Sequence, residues 1–519
     1  MNIMKHKIII LQFMLLLGMV SGCKGYLDLP PKSQRTVTSV DNIEALLGAY
    51  LKGVAELRVK PLYGNVMAMV PAVANVMFEA YSDNLDFETA LTQTYLQPNN
   101  NKEKTQQGYG NLLLWNQHAT ATTLWTQHYE IIGFMNSLIE QMDEITDASA
   151  AQRDQLLGEM YVHRAYFFFK LLQYFAPYDK SEMGVPVYLR TGDGVLGVQL
   201  PRSSHAAVYK TILDDLNKAL EMVNRTTPWT GFNCFYNKRY INHLLAQVYW
   251  FKAESPAKET TDYEKVKTHA LAALEAVDAY IPVTAAARIN AYAAKDPNYP
   301  AHCMENNVQG GISVIYGNEF QYLSPGTYGP ENIPITAEFA GLFDQADIRI
   351  SNYFNTDATR AGGKVGTAGK TLNWGWPTDG SANGQVKRGN LCLFKPEEAY
   401  LMLAEAYYKL TKEGDALTTL NKFRSFRGTG TLSGISGTAL LQEIVNERRR
   451  EFFGDSDKRW LDLKRYANKT ITRTLTILQK TYSITVPPND FRYALPIPLT
   501  EIQANRNMVP NPGWVIMEF

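Results

Sequence analysis

The sequence predicts a mainly α-helical protein in which tetratricopeptide-like helix pairs form a scaffold for a long irregular, loop-rich part. Three observations predict it. In 396–427, PEEAYLMLAEAYYKLTKEGDALTTLNKFRSFR, the residues Tyr400, Leu403, Ala404 and Tyr407 sit at helical spacings, and Ala416, Leu420 and Phe423 follow on a second helical face. Large and small residues at those offsets let two antiparallel helices nest closely. Leu245, Ala246 and Tyr249, then Ala270, Leu274 and Val277, repeat the scheme with a longer connection. Between Gly310 and Gly389 the texture changes: 14 of the 36 glycines fall there, with Trp374, Trp376 and many Tyr, Asn and Asp. Such a stretch cannot pack as helices and reads as long loops, and loops of that length are commonly functional.

The chain opens with Lys5 and Lys7, an apolar run from Ile8 to Val20 broken only by Gln12, and Val20-Ser21-Gly22-Cys23. The run is shorter than the ~20 helical residues that cross a bilayer. Charge, a short apolar core and small residues before the break mark an export signal over 1–22. A cysteine straight after them completes a bacterial lipobox, so Cys23 is the expected lipidation site. An acylated Cys23 would hold the mature chain to a membrane by lipid alone, each buried methylene adding ~0.8 kcal/mol. Residues 23–40, with Pro30-Pro31, read as an extended arm. Residues 41–519 read as one domain, with a loop-rich insert at about 280–395 and a helical C-terminal region at about 396–519.

Asp41 caps the first helix of that domain, with Ile43, Leu46, Leu47 and Tyr50 on its apolar face. Further helices are predicted near 125–143, 152–175, 205–223, 238–254, 262–278, 397–410, 413–427, 439–453 and 457–467. Trp125, Trp250 and Trp460 fall within these helices and are expected in the core.

Without Lys5 and Lys7, 49 of the 51 basic residues remain against 51 acidic ones, a net charge of −2. That balance gives no long-range attraction to nucleic acid. Cys234, Cys303 and Cys392 lie far apart, without metal-like spacing; they allow at most one disulfide and read as buried free thiols. The run GGKVGTAGKT from Gly362 misses the phosphate-loop spacing, because Lys364 stands where a glycine is required, and no helix follows it. No catalytic or metal motif is present: there is no G-x-S-x-G and no H-E-x-x-H, and no ligand set for a cation can be named. His243 and His269 read as helix-packing or surface residues. The dense run NERRREFFGDSDKRWLDLKRY, residues 446–466, reads as an ion-paired hinge locking two helices around Trp460. Its members are Glu447, Arg448, Arg449, Glu451, Arg459, Asp462 and Arg465, joined by bidentate Arg–carboxylate bonds.

Several blocks together resemble the SusD/RagB family of Bacteroidetes lipoproteins. They are the lipobox with YLDLPPKSQ, then RAYFFFKLLQYF with GVPVYLRT, and LPRSSHAAVYKTILDDLNKAL. FKPEEAYLMLAEAYYKL, the hinge run and the ending YALPIPLTEIQANRNMVPNPGW complete the series. They occur in order from Cys23 to the last residues, with the middle third least alike. The resemblance implies an outer-membrane lipoprotein facing the extracellular side, in which four helix pairs support an irregular ligand face. It further implies a lid and capture partner for a SusC-like TonB-dependent transporter, without chemistry or a cofactor of its own. The ligand would be a glycan, or a peptide in the RagB-like branch.

A sugar presents C–H groups on its ring faces and hydroxyls at its rim, so flat aromatics with nearby Asn, Asp or Arg suit it. Trp374 and Trp376, at alternate positions in a glycine-rich loop, are the first candidates. Trp115 with Asn116, where the starch-binding member supplies stacking aromatics, is the second, and Tyr81, Asp83 and Asn84 the third. A surface glycoside hydrolase and a pure assembly scaffold are the alternatives.

Overall fold

Side-chain caps set where several of the long helices begin. The structure, a computed structural model, describes residues 37–55, 77–86, 102–179, 181–191, 197–223, 235–292, 302–304, 335–350, 391–453, 455 and 457–515. Within these, α1 (Val40–Ala55) is followed by α2 (Lys102–Leu113), α3 (His118–Met142), α4 (Ala150–Phe175), α5 (His205–Met222) and α6 (Lys238–Lys252). Then come α7 (Asp262–Ala273), α8 (Ala285–Tyr292), strand β1 (His302–Met304), the short α9 (Ala337–Ala340) and strand β2 (Leu391–Phe394). The C-terminal part holds α10 (Pro396–Lys409), α11 (Glu413–Ser425), α12 (Gly437–Glu451), α13 (Lys458–Tyr466), strands β3 (Ile471–Ile477) and β4 (Lys480–Val486), and α14 (Leu499–Ala504).

Ser149 and Gln152 close a capping box at the start of α4, Ser204 accepts the Ala207 N–H at the start of α5, and Asn237 accepts the Tyr240 N–H at the start of α6. Pro396 opens α10, where its missing N–H costs no hydrogen bond. From α3 onward each helix packs on the next: α3 on α4, α4 on α5, α5 on α6, α6 on α7. α10 then packs on α7, so the stack resumes after the insert as if the chain had not left it, and continues through α11 and α12. The two predicted helix pairs are therefore neighbours. Leu245, Ala246, Ala270 and Val277 are buried, as are Tyr400, Leu403, Ala404, Ala416, Leu420 and Phe423.

The second half of α4 is apolar nearly all round because α3 covers one side and α5 the other. Phe167, Phe168, Phe169 and Phe175 are all buried. Its charged residues reach partners on other elements. Arg164 forks onto Asp215 of α5 with two 2.7 Å bonds and donates to Asn136 of α3. Lys170 donates to Asp457. The closing motif also docks on α4: Leu495 N–H donates to the Tyr174 carbonyl, and Asn511 donates to the carbonyls of Phe175 and Leu495.

Three features depart from the sequence reading. The helix expected from 125 starts at His118, and α2 ends just before it. Residues 471–486 form a hairpin, with Ile471, Arg473, Leu475 and Ile477 inward and a Leu478–Gln479 turn at positive φ. Part of the insert is regular, holding α8, α9 and the β1–β2 ribbon. Among the described residues no helix is long and apolar enough to cross a membrane. Cys23 lies outside them.

Candidate functional site

The hinge run builds a buried charge network that reaches well beyond its own two helices. Arg448 of α12 pairs with Asp462 of α13 at 3.1 Å, and Trp460 is buried against Phe78 and Tyr174. Arg465 pairs with Glu405 of α10 at 2.7 Å and lies 3.6 Å over the Trp250 ring, with Arg448 also over it at 4.3 Å. Glu447 and Glu451 find most of their partners elsewhere. Glu447 accepts from Arg349 at 2.6 Å, Arg424 at 3.0 Å and Arg450 at 2.5 Å. Glu451 accepts from Arg349, Arg288 and the Nε and Nη2 of Arg427, and Arg427 also holds Glu397 at 2.8 Å.

Those arginines mark where the chain leaves and re-enters the scaffold. Arg288 lies in α8, before one undescribed part of the insert, and Arg349 just before another, while Glu397 follows β2 at the start of α10. Burial raises the Glu447 carboxyl, but the guanidiniums of Arg349 and Arg450 outweigh it and hold it down at about 2. Glu447 thus stays anionic among its guanidiniums, and the pairs of Arg288 and Arg349 fix the flanks of the insert on α12. Sequence spacing exposed the carboxylates but not their distant partners.

The third candidate set joins the same network. Asp83 accepts from the Nε and Nη2 of Arg459, at 2.7 and 2.9 Å, and also pairs with Arg449 and Lys469. Burial raises its carboxyl, but these three cations hold it far below the carboxylate range. Asn84 accepts from Arg449 at 2.8 Å, and its carbonyl accepts the Thr336 N–H, beside a Leu85–Ile335 bridge. Asn116 donates to Asn111 at 2.7 Å.

Tyr81 and Trp115 stack on each other, 4.2 Å apart and 1° from parallel, and Tyr493 meets the Trp115 ring edge-on. Both are 1% exposed, so in place of an open stacking platform the structure has a closed one, turned inward. The physical reason is local. Trp115 occupies the two-helix joint at φ 60°, a conformation unfavourable for a bulky side chain, and its ring is buried under partners from distant sequence. Trp374 and Trp376 lie outside the described residues.

A cavity of about 140 Å³ opens among Tyr178, Lys464, Asn489, Asp490, Phe491 and Asn511. It is smaller than the roughly 300 Å³ at which ligand pockets begin. Lys464 there is spent on the end of α4, donating to the carbonyls of Gln173 and Ala176. Among the described residues no group of His, Cys, Asp and Glu is placed to hold a metal ion. His243 meets Glu398 at 3.3 Å, and His269 stacks on Tyr249.

The helix pairs thus form a continuous stack, and buried ion pairs tie the flanks of the insert to it. The chain belongs to the SusD/RagB family: a family model described as starch-binding, associating with the outer membrane, matches residues 25–249, and the SusD family model matches 347–514. Solved structures share the fold. A SusD-like carbohydrate-binding protein from Bacteroides vulgatus is 18% identical, with TM-score 0.65, covering 91% of this chain and 98% of its own. A SusD superfamily protein from Bacteroides thetaiotaomicron is 20% identical with TM-score 0.66, covering 92% of this chain and all of its own. One from Parabacteroides distasonis is 17% identical with TM-score 0.66 and the same coverage. No curated protein matches the chain.

Proposed function

We propose that the protein is a lipoprotein of the outer membrane, anchored through Cys23 and facing outward. It captures a glycan and passes it to a SusC-like TonB-dependent transporter, and it carries out no chemistry. The observation that carries this reading is membership of a family whose matching model is described as starch-binding and associated with the outer membrane. The carbohydrate-binding fold neighbour supports the ligand class.

Residues 23–40 are the arm in this reading, and 41–519 one unit. Its larger hydrophobic cluster takes residues from Ile43 to Met508, which supports reading 41–519 as one unit, and Val40, at the start of α1, packs with it. The binding platform falls to Trp374 and Trp376, because the Trp115 ring is covered. The buried set around Asp83 is structural in this reading, its carboxylate being taken up by Arg449, Arg459 and Lys469.

The test is a calorimetric screen of the soluble chain without its leader and Cys23 against plant, host and microbial glycans and peptide mixtures. Saturable heat with one glycan class is expected. Trp374→Ala or Trp376→Ala should weaken it about 30-fold, the loss of roughly 2 kcal/mol that truncating an anchoring aromatic brings. Trp115→Ala should lower the melting temperature and leave the affinity of the remaining folded protein within a few-fold. Binding of peptides alone would move the protein to the RagB-like branch. Released sugar products would point to a hydrolase.

A further inference from the structure

β1 and β2 form an antiparallel ribbon at the two borders of residues 305–390, and in its register Cys303 is the partner of Cys392. The irregularity in that ribbon falls between His302 and Cys303, so Cys303 and Met304 stay in step with Cys392 and Leu391. Directly opposed residues of an antiparallel pair have Cα atoms about 4.5 or 5.5 Å apart. A disulfide spans Cα separations of about 4.4–6.8 Å. Of the three pairings that Cys234, Cys303 and Cys392 allow, the ribbon register therefore selects one.

We propose that Cys303 and Cys392 form a disulfide that ties together the two ends of the insert. The step is a thiol–disulfide exchange. Each thiol gives up its hydrogen, the two sulfurs join, and two electrons pass to a protein disulfide of the export pathway, which leaves as a dithiol. The bond rests on the export reading for its oxidant and on the ribbon alone for its geometry.

The bond closes a loop of about 90 residues, and cross-links over long loops constrain the unfolded chain most. β1 lies against α1 and β2 against α6. The bond thus ties the helix that follows the anchoring arm to the repeat stack, at the point where the excursion carrying Trp374 and Trp376 begins and ends. Cys234 is left as the single thiol.

The test uses the mature lipoprotein extracted from its membrane, alkylated while denatured and unreduced, then digested for mass spectrometry. A linked peptide pair carrying Cys303 and Cys392, two hydrogens lighter than the separate peptides, is expected, with Cys234 alkylated. A link through Cys234 would overturn the proposal. A second arm takes the purified chain, reduced and refolded, and exposes it to oxidised glutathione. The folded protein should close Cys303–Cys392, and the same chain in denaturant should give mixed pairings. Failure of the folded protein to close would overturn the pairing. Free thiols in the cell-derived protein together with closure in the purified one would leave the pairing standing and refute the export reading.

Discussion

His128 is buried among aromatic rings, edge-on to Phe167 at 5.2 Å and to Tyr174 at 5.8 Å. Burial pushes its pKa down to about 3; nearby Lys170 adds to that, and the Leu124 carbonyl and Asp457 oppose it. In the unfolded chain a histidine titrates near ~6.5. As the pH falls below that value the unfolded chain takes up a proton that the folded protein refuses, so stability drops until about pH 3. Between pH 7 and pH 5 this one side chain should cost about 2 kcal/mol, the integral of that difference. His128→Leu keeps the site filled and removes the proton. Urea unfolding of parent and variant at both pH values should show the parent losing about 2 kcal/mol more than the variant; equal losses would refute the assignment. His205, pushed down to about 4 by burial and by Lys464, remains in both proteins and cancels in the comparison.

At the scale of elements, α12 is held as much by charge as by its apolar residues Leu440, Ile444 and Val445. Glu447→Gln preserves shape and one acceptor but strips the anion that Arg349, Arg424 and Arg450 share. Breaking a buried pair by removing one partner typically costs about 3–5 kcal/mol, and a loss of that size in thermal or urea unfolding is the expected result. A cost below ~1 kcal/mol, the range of exposed pairs, would mean that the network is solvated and does little. The repeat helices were legible because their apolar faces recur every three or four residues, and their edges fell within a few residues of the caps. α2 was not legible: KEKTQQGYGNLL has apolar residues mainly at one end and two glycines within it. The β3–β4 hairpin alternates, but its inward series includes Arg473, which donates to the carbonyls of Leu113 and Ser82, both far away in sequence. Trp115 misled for the same reason. Composition suggests a platform, while Tyr81 and Tyr493, far away in sequence, decide that the ring is covered.

For the whole molecule, the hydrophobic core and the charged node make separate demands on the insert. The core cluster runs through the helix stack, and α10 meets α7 directly, so the stack is continuous from one side of the insert to the other. Within the insert, residues 335–350 belong to it. Ile335, Phe339 and Phe343 are buried in the core, Arg349 ties Asp347 to Glu447 and Glu451, and the Ile348 N–H donates to the Arg427 carbonyl. Replacing 351–390 by a flexible Gly/Ser linker of 15 to 20 residues is expected to leave far-UV circular dichroism helical and the unfolding transition cooperative, while glycan binding is lost with Trp374 and Trp376. Extending the deletion to 335–390 leaves Glu447 and Glu451 short of a guanidinium and opens the Phe339 site against Phe453. That variant should unfold at much lower temperature or fail to fold. With those outcomes the pair of deletions would separate a ligand-presenting part from a part that holds the scaffold. If the shorter deletion also abolished folding, residues 351–390 would belong to the core, and their aromatics would have to be read as packing like Trp115.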